Sequence, residues 1–271
     1  MSYEYDSDAA GSPAIRELVE LWRYRDLLRL IVNNSVKTRY KRSVLGIIWT
    51  LINPLLNTLV LTLAFSQILR FQVENYPIYI LVGLLVWNFF AQTTTHAMNT
   101  IIWGSSLLKR IYVPRTIFSV SVIGNGLINF ALALIPLALI MLVMKHPFSP
   151  ALLFLPVAIL FMAMFTLGFT LMISTLAVYF TDVVDMFGIL LSAWFYLTPI
   201  IYPIDILPRG LAEVVRLNPV YYLLQLFQAI VYLGEWPSQA NVLTSGFIAG
   251  ITLLAGWWIF TKRSDELAYR I

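Results

Sequence analysis

Residues 117–144 read IFSVSVIGNGLINFALALIPLALIMLVM, a stretch without a single charged side chain. A helix needs roughly 20 mostly apolar residues to cross the hydrocarbon core of a bilayer. Five further stretches reach about this length, at residues 45–68, 77–98, 152–180, 184–202 and 241–261. Because lipid offers the backbone no hydrogen-bond partners, such stretches must be helical. We therefore predict an all-α, polytopic membrane protein with six transmembrane helices.

The composition of the whole chain agrees with this class. Of its 271 residues, 59% are hydrophobic and 12% are charged, whereas about a quarter of a soluble domain is charged. The mean hydropathy is +0.79. The chain has no cysteine, so disulfides and cysteine-ligated metals are excluded. These values exclude an ordinary soluble domain.

Basic residues are concentrated on one side of the predicted membrane helices. Of the 18 Lys and Arg, all but Arg70, Lys145, Arg209 and Arg216 lie on the side that holds both termini. The positive-inside rule therefore predicts cytoplasmic termini for a multi-pass protein of the cytoplasmic (inner) membrane. Since the excess charge lies beside membrane helices, the net charge of +4 does not indicate a nucleic-acid partner.

The segments around the transmembrane domain (residues 44–262) carry more polar residues. Residues 1–13 lack the basic start and short apolar run of a signal peptide, so we expect a disordered cytoplasmic tail. We expect residues 263–271 to form a second cytoplasmic tail. Residues 14–43 combine apolar positions at helical spacing with many basic ones. This pattern favours two amphipathic helices, meeting near Arg25, that lie in the headgroup plane. Packing against a partner protein is the alternative.

Residues 205–234 follow the fifth predicted crossing and are interrupted by two prolines. Their apolar second half is too short to span a bilayer, and a crossing there would place Lys262 and Arg263 outside. We therefore predict a re-entrant helix pair that dips into the outer leaflet and returns. The residues assigned to this outer gate are Pro208, Pro219, Tyr221 and Tyr222.

Three of the predicted membrane helices carry polar side chains along one face. The three sets are Thr50, Asn53 and Asn57; Asn88, Gln92, Thr95, His96 and Asn99; and Ser121, Asn125 and Asn129. Hydrogen bonds between helices are one explanation, and a shared polar path is the other. His96 is the only ionisable side chain well inside a predicted crossing, which argues against an ion-coupled carrier.

The chain is also rich in aromatic residues, with 8 Trp, 14 Tyr and 17 Phe. Belts at the membrane interface account for many of them. Aromatic faces also stack on sugar rings, while Tyr and Trp polar groups supply hydrogen bonds. The candidate lining of a sugar path is Asn53, Asn57, Trp87, Asn88, Gln92, His96, Trp194, Tyr196 and Tyr202.

No motif for ATP binding or catalysis is present. The chain has no Gly-Lys pair, so it lacks the G-x-x-x-x-G-K-[ST] phosphate loop. No metal-binding or catalytic set occurs at suitable spacing, so we expect no enzymatic activity in this chain. An energised function requires a partner. Residues 103–115, basic and aromatic, are predicted to form a short cytoplasmic coupling helix between the second and third crossings that docks to this partner; a plain loop is the alternative. The docking residues are Lys109, Arg110, Tyr112, Pro114 and Arg115.

Several motifs resemble the permease subunits of type-2 ABC exporters, specifically those for O-antigen, capsule and teichoic-acid polysaccharides. The most specific is the R-Y-x-x-S-x-L-G-x-x-W pattern of residues 39–49. The weaker matches are Asn53-Pro54, Val113-Pro114-Arg115, Tyr179-Phe180-Thr181-Asp182-Val183, Leu197-Thr198-Pro199-Ile200-Ile201-Tyr202-Pro203 and Asn218-Pro219. Together these motifs cover nearly the whole chain.

The resemblance implies a homodimer that works with two copies of a separate ATP-binding subunit. ATP and Mg²⁺ would be bound by that subunit, and this chain would need no cofactor. In such proteins the N-terminal amphipathic helix and the loop between the second and third crossings rest on the ATP-binding subunits. This implies a coupling role for Trp22 and Arg23 beside segment 103–115.

On this resemblance we expect the export of polyprenyl-pyrophosphate-linked polysaccharide, as in lipopolysaccharide biosynthesis. The lipid would enter from the inner leaflet, with its pyrophosphate near the basic residues Arg39, Lys41 and Arg42. The nearest alternative is a type-2 ABC permease for drugs or small lipids. A membrane glycan ligase or polymerase is a more distant alternative, because it would need a large outer loop with convergent polar groups.

Overall fold

The computed structural model describes residues 13–40, 48–68, 73–103 and 116–270, and within these ranges its regular structure is entirely helical. The all-α prediction is thereby confirmed. The α-helices in chain order are α1 (Pro13–Arg23), α2 (Arg25–Tyr40), α3 (Ile48–Thr62), α4 (Tyr76–Trp103), α5 (Thr116–Val143), α6 (Leu155–Tyr179), α7 (Val183–Tyr196), α8 (Arg209–Arg216), α9 (Pro219–Phe227) and α10 (Gln239–Arg270). Leu63–Ile68 and Gln228–Leu233 continue α3 and α9 as π-helix, and Pro150–Phe154 and Ile204–Ile206 are 3₁₀ turns.

Helix α4 lies at the centre of the helical bundle. Nearly every side chain from Tyr76 to Phe90 is buried, as expected for a helix that is apolar on all sides. Helices α3, α5, α6, α7 and α9 pack against it, and α10 lies behind α6 and α9. The outward faces of α5, α6 and α10 carry exposed apolar side chains, which suit contact with lipid.

Four helical stretches are long and apolar enough to cross a bilayer, namely Tyr76–Ile101, Thr116–Val143, Pro150–Tyr179 and Gln239–Arg263. They correspond to four of the six predicted crossings. The first and fifth predicted crossings correspond to shorter apolar helices, Leu51–Phe65 and Val183–Tyr196. The fifth was predicted to continue to residue 202, but its helix ends at Tyr196. Pro199 and Pro203 follow, and neither has the backbone N–H that a longer helix would need. The number six therefore stays a prediction.

Helices α8 and α9 form the pair that was predicted to be re-entrant. The stretches Arg209–Arg216 and Pro219–Leu233 meet at an angle of 89°. Proline lacks a backbone N–H, so Pro219 cannot continue the preceding helix but suits the first turn of the next one. The bend is compatible with a broken span and with a re-entrant pair, so the re-entrant reading also stays a prediction.

Two glycines allow α6 and α10 to pack backbone against backbone. A Cβ atom added at Gly168 would overlap main-chain atoms of Thr252 and Leu253, and one added at Gly256 would overlap the main chain of Gly168. Small residues permit this close approach between membrane helices. Gly250 also fits a small-xxx-small spacing in the sequence, but an added Cβ there would meet nothing within 4 Å.

Helix α1 is amphipathic, and its apolar face points away from the part of the chain that the structure describes. Ile15, Leu18, Val19 and Trp22 are all exposed. The opposite face is half-buried; it carries Glu17, Glu20 and Leu21, and α1 contacts α2, α5 and α10. The part of the chain that the structure describes therefore leaves this apolar face uncovered.

Candidate functional site

The most distinctive site lies where α7 ends, at the non-helical segment 197–203. Helix α7 has 14 residues, about 21 Å at 1.5 Å per residue, which is shorter than the roughly 30 Å of a bilayer core. Pro199 and Pro203 lack the backbone N–H that a longer helix would need. At membrane depth, the carbonyl groups freed by this break need partners from within the protein.

Two tyrosines of α4 supply partners for these carbonyl groups. The Tyr79 hydroxyl lies 2.9 Å from the Pro199 carbonyl oxygen and 2.8 Å from that of Tyr202, so its proton is shared between them. The Tyr76 hydroxyl donates to the Ile201 carbonyl at 2.6 Å. Both tyrosine side chains are buried. The central helix thus holds the break in one conformation.

Asn218, which precedes α9, joins this break to the α8–α9 pair. Its Oδ1 accepts hydrogen bonds from the Val220 backbone N–H at 3.0 Å and from Trp194 Nε1 at 2.8 Å. Its Nδ2 donates to Thr198 Oγ1 at 2.8 Å and to the Leu197 carbonyl at 3.4 Å. Asn218 is therefore the N-cap of α9 and also ties that helix to the end of α7.

An aromatic cluster lies beneath the break. The Trp87 ring meets those of Phe90, Trp194 and Phe195 edge to face, with centroids 5.8, 6.4 and 5.6 Å away. Trp87 is only 6% exposed, because its own chain encloses the ring, and its assignment to a channel lining stays a prediction. Trp194 is half-buried and Tyr196 is 67% exposed.

The other predicted lining residues divide by exposure. Asn53 and Asn57 on α3 are exposed, and Asn57 Nδ2 donates to Asn53 Oδ1 at 2.8 Å. Gln92 and His96 on α4 are exposed, while Asn88 is half-buried. In the third polar stripe, Ser121 is buried and bonds to the Phe118 carbonyl of its own helix, and Asn125 and Asn129 are half-buried.

His96 makes its contacts within α4. Its Nδ1 lies 3.2 Å from Thr100 Oγ1, and that hydroxyl donates to the His96 carbonyl at 2.8 Å. Tyr202 likewise bonds locally, since its hydroxyl donates to the Tyr196 carbonyl at 2.6 Å. The structure places the exposed polar residues on α3 and α4 and the exposed Tyr196 on α7, and it encloses Trp87.

The predicted gate residues lie on both sides of the α8–α9 bend. Pro208 is exposed immediately before α8, and Pro219 opens α9. Tyr221 is buried and its hydroxyl accepts from Gln225 Nε2 at 2.6 Å, while the Tyr222 ring is half-buried with its centroid 5.2 Å from that of Tyr221.

The far end of the same pair is also fixed to the rest of the chain. The Tyr232 hydroxyl donates to the Glu74 carbonyl at 2.8 Å, and His146 Nε2 lies 3.1 Å from the Val231 carbonyl. Gly234 ends the π-helical stretch with φ +67°, a left-handed conformation that glycine adopts without strain. Helix α9 and its π-helical continuation are thus held at both ends.

Several predicted site residues lie outside the described residues, namely Lys41, Arg42, Lys109, Arg110, Tyr112, Pro114 and Arg115. Arg39 lies in the last turn of α2. Trp22 and Arg23 lie at the end of α1, where Trp22 is 73% exposed and the Arg25 guanidinium lies 5.3 Å from its ring centroid.

The tyrosine and asparagine contacts were not predicted. An Asn-Pro pair is a recognised helix start, so the capping role of Asn218 could have been found in the sequence. Tyr76 and Tyr79 carry no such signal, because their partners lie 125 and 120 residues further along the chain.

Comparison with known proteins supplies the family. Residues 26–232 match the family model described as ABC-2 type transporter. The chain belongs to this family. An O-antigen export system permease protein RfbA of Myxococcus xanthus is 33% identical over 95% of this chain and 100% of its own length. A protein of the same name from Klebsiella pneumoniae is 30% identical over 90% and 94% of the two chains.

A more distant relative extends the comparison to capsule. The capsule polysaccharide export inner-membrane protein CtrC of Neisseria meningitidis serogroup A is 26% identical over 76% of this ABC-2 chain and 78% of its own length. The family match includes the α7–α9 site, from the break at residue 197 to the π-helical stretch after α9.

Proposed function

We propose that this ABC-2 chain is the membrane-spanning permease of an ATP-driven exporter of lipid-linked, O-antigen-like polysaccharide. The similarity to the M. xanthus permease over that protein's whole length carries the proposal. A glycan-export name also recurs in the capsule relative. The substrate would be a glycan on polyprenyl pyrophosphate, moved across the cytoplasmic membrane.

The exposed amides of α3 support a homodimer around a central path. Asn53 and Asn57 are exposed in the middle of an apolar helix. Their mutual hydrogen bond uses only part of the hydrogen-bonding capacity of the two amides, and the rest is costly in lipid unless it finds partners. A second copy, or water inside a channel, would satisfy them. The exposed Tyr196 of α7 and the exposed Gln92 of α4 would offer stacking and hydrogen bonds to sugar rings.

The energy would come from two copies of a separate subunit that binds ATP and Mg²⁺. Segment 103–115 would dock to that subunit, with Trp22 and Arg23 of α1 beside it. The exposed apolar face of α1 supports placing this helix in the cytoplasmic headgroup layer, since Trp and basic residues beside an apolar face favour that position. Both termini would then be cytoplasmic. The alpha-helical pair α8–α9 would form the outer gate.

The export function is tested by replacing the permease of an O-antigen-exporting bacterium with this chain and its own ATP-binding partner. We expect surface polysaccharide to return and to be lost again when the partner cannot hydrolyse ATP. Restored resistance to small lipophilic compounds without surface polysaccharide would instead support the drug or small-lipid alternative. Polysaccharide formation that continues without ATP hydrolysis would support the ligase or polymerase alternative.

The predicted pyrophosphate contact is tested separately. Replacing Arg39, Lys41 and Arg42 together with Gln should leave assembly intact and reduce export, because the three cations precede the first crossing at headgroup depth. Replacing Lys262 and Arg263 with Gln removes cytoplasmic charge elsewhere and serves as the control. Undiminished export by the triple variant would rule out this contact.

A further inference from the structure

A hydrogen bond joins α1 to the start of α5. The Thr116 hydroxyl donates to Glu17 Oε2 at 2.6 Å, across 99 residues of sequence. Thr116 is completely buried and Glu17 is half-buried. Thr116 is also the first residue of α5, directly after the proposed docking segment 103–115. The bond therefore connects α1 to the point at which that segment enters the membrane domain.

The surroundings favour a persistent contact. The Glu17 carboxylate lies at the N-terminus of a 28-residue helix, where the helix dipole stabilises negative charge. Hydrogen bonds to charged groups are also stronger than those between neutral groups. Glu17 lies on the half-buried polar face of α1, opposite the exposed apolar face. This face, and not the apolar one, attaches α1 to the chain.

A second contact fixes the following helix to α5. Gly124, two turns into α5, faces Val32 of α2, and a Cβ added at Gly124 would lie 3.2 Å from a Val32 methyl. The arm formed by α1 and α2 is thus attached to α5 at Thr116 and again at Gly124. Two attachment points along one helix restrict rotation of the arm about either of them.

We infer that Glu17 is a positioning residue that couples α1 to the docking segment through Thr116. When the ATP-binding subunits move that segment, the bond makes α1 and the start of α5 move with it. This inference rests on the proposed function, because it assumes that segment 103–115 receives the force. It assigns to Glu17 a role in transmission, distinct from binding the glycan or the lipid.

The test uses the complex of this chain with its ATP-binding subunit in lipid vesicles. Glu17→Ala removes the acceptor, and Thr116→Val removes the donor with little change in shape. Thr116→Ser keeps the donor and should restore coupling. Glu20→Ala is the matched control, since Glu20 is a half-buried carboxylate on the same face of the same helix.

We expect Glu17→Ala and Thr116→Val to hydrolyse ATP but to export less glycan per ATP than the unmodified complex. Amide exchange over residues 13–23 should also quicken by roughly tenfold or more. Thr116→Ser and Glu20→Ala should resemble the unmodified complex in both measurements.

Faster exchange with unchanged export per ATP would show that Glu17 only anchors the arm, and would overturn the inference. Unchanged exchange would show that the bond does not hold α1. If the unmodified complex hydrolyses ATP and exports no glycan, the proposed function fails, and the exchange measurement still decides whether Glu17 holds the arm.

Discussion

Replacing Asn218 with Ala should destabilise the junction between α7 and α9. The substitution removes the cap on the Val220 N–H and the side-chain bonds to Trp194 and Thr198. Loss of an N-cap costs about 1 kcal/mol, and side-chain hydrogen bonds between membrane helices average about 0.6 kcal/mol each. The expected loss in the free energy of unfolding is therefore about 2 kcal/mol.

The variant Asn218→Ser separates the two contributions, because serine is also a good N-cap but is too short to replace both arms of the amide. It should lose about 1 kcal/mol, from the two side-chain bonds alone. In a Trp194→Phe background, which lacks the indole donor, Asn218→Ala should cost about 0.6 kcal/mol less than in the unmodified chain.

The assay is reversible unfolding of the purified permease in mixed micelles, with the denaturing detergent as the variable and tryptophan fluorescence as the signal. The Trp194→Phe series needs circular dichroism, because it removes one of the eight tryptophans. A loss below about 0.5 kcal/mol for Asn218→Ala, within the range of ordinary surface substitutions, would refute the assignment of Asn218 as the link between the two helices.

The remaining predictions concern helix packing and the break. Gly256→Ala should prevent stable folding, because its Cβ would overlap the Gly168 main chain. Gly250→Ala should be neutral or should stabilise α10 by up to about 1 kcal/mol through helix propensity. Thermal unfolding of both variants checks this, and equal stabilities would contradict it. Tyr79→Phe should lower the free energy of unfolding by about 1 kcal/mol, because the Pro199 and Tyr202 carbonyls lose their shared donor. The same unfolding assay checks this, and an unchanged stability would show that water replaces the hydroxyl.

The long membrane helices could be predicted closely from the sequence. The apolar stretch 117–144 corresponds to the helix Thr116–Val143, and the stretch 152–180 corresponds to the helical stretch Pro150–Tyr179. The bounds agree because the length of an uncharged stretch determines the length of a membrane helix. Pro199 and Pro203 indicate in the sequence that α7 ends before residue 202, but the conformation of the break that follows could not be predicted. It depends on hydroxyl groups of α4 that approach the chain only after folding, and the intervening sequence gives no sign of that contact.

The sequence predicts which kinds of environment suit a side chain, but it does not decide between two environments that suit the same side chain. Asn53 and Asn57 were assigned to a polar face, and they are exposed on α3. Trp87 was assigned to the same lining, yet three aromatic neighbours enclose it. An indole suits an aromatic core as well as a sugar path, so only the packing of α4 against α7 distinguishes the two.

The crossing of α6 and α10 has a consequence for genetics. When a bulky side chain is accommodated during evolution, a neighbour usually becomes smaller in compensation. At Gly168 and Gly256 the obstacles are carbonyl and Cα atoms of the opposite helix, which every amino acid carries. A harmful substitution at either glycine should therefore yield revertants only at the altered codon, and a search for second-site suppressors across the crossing should return none.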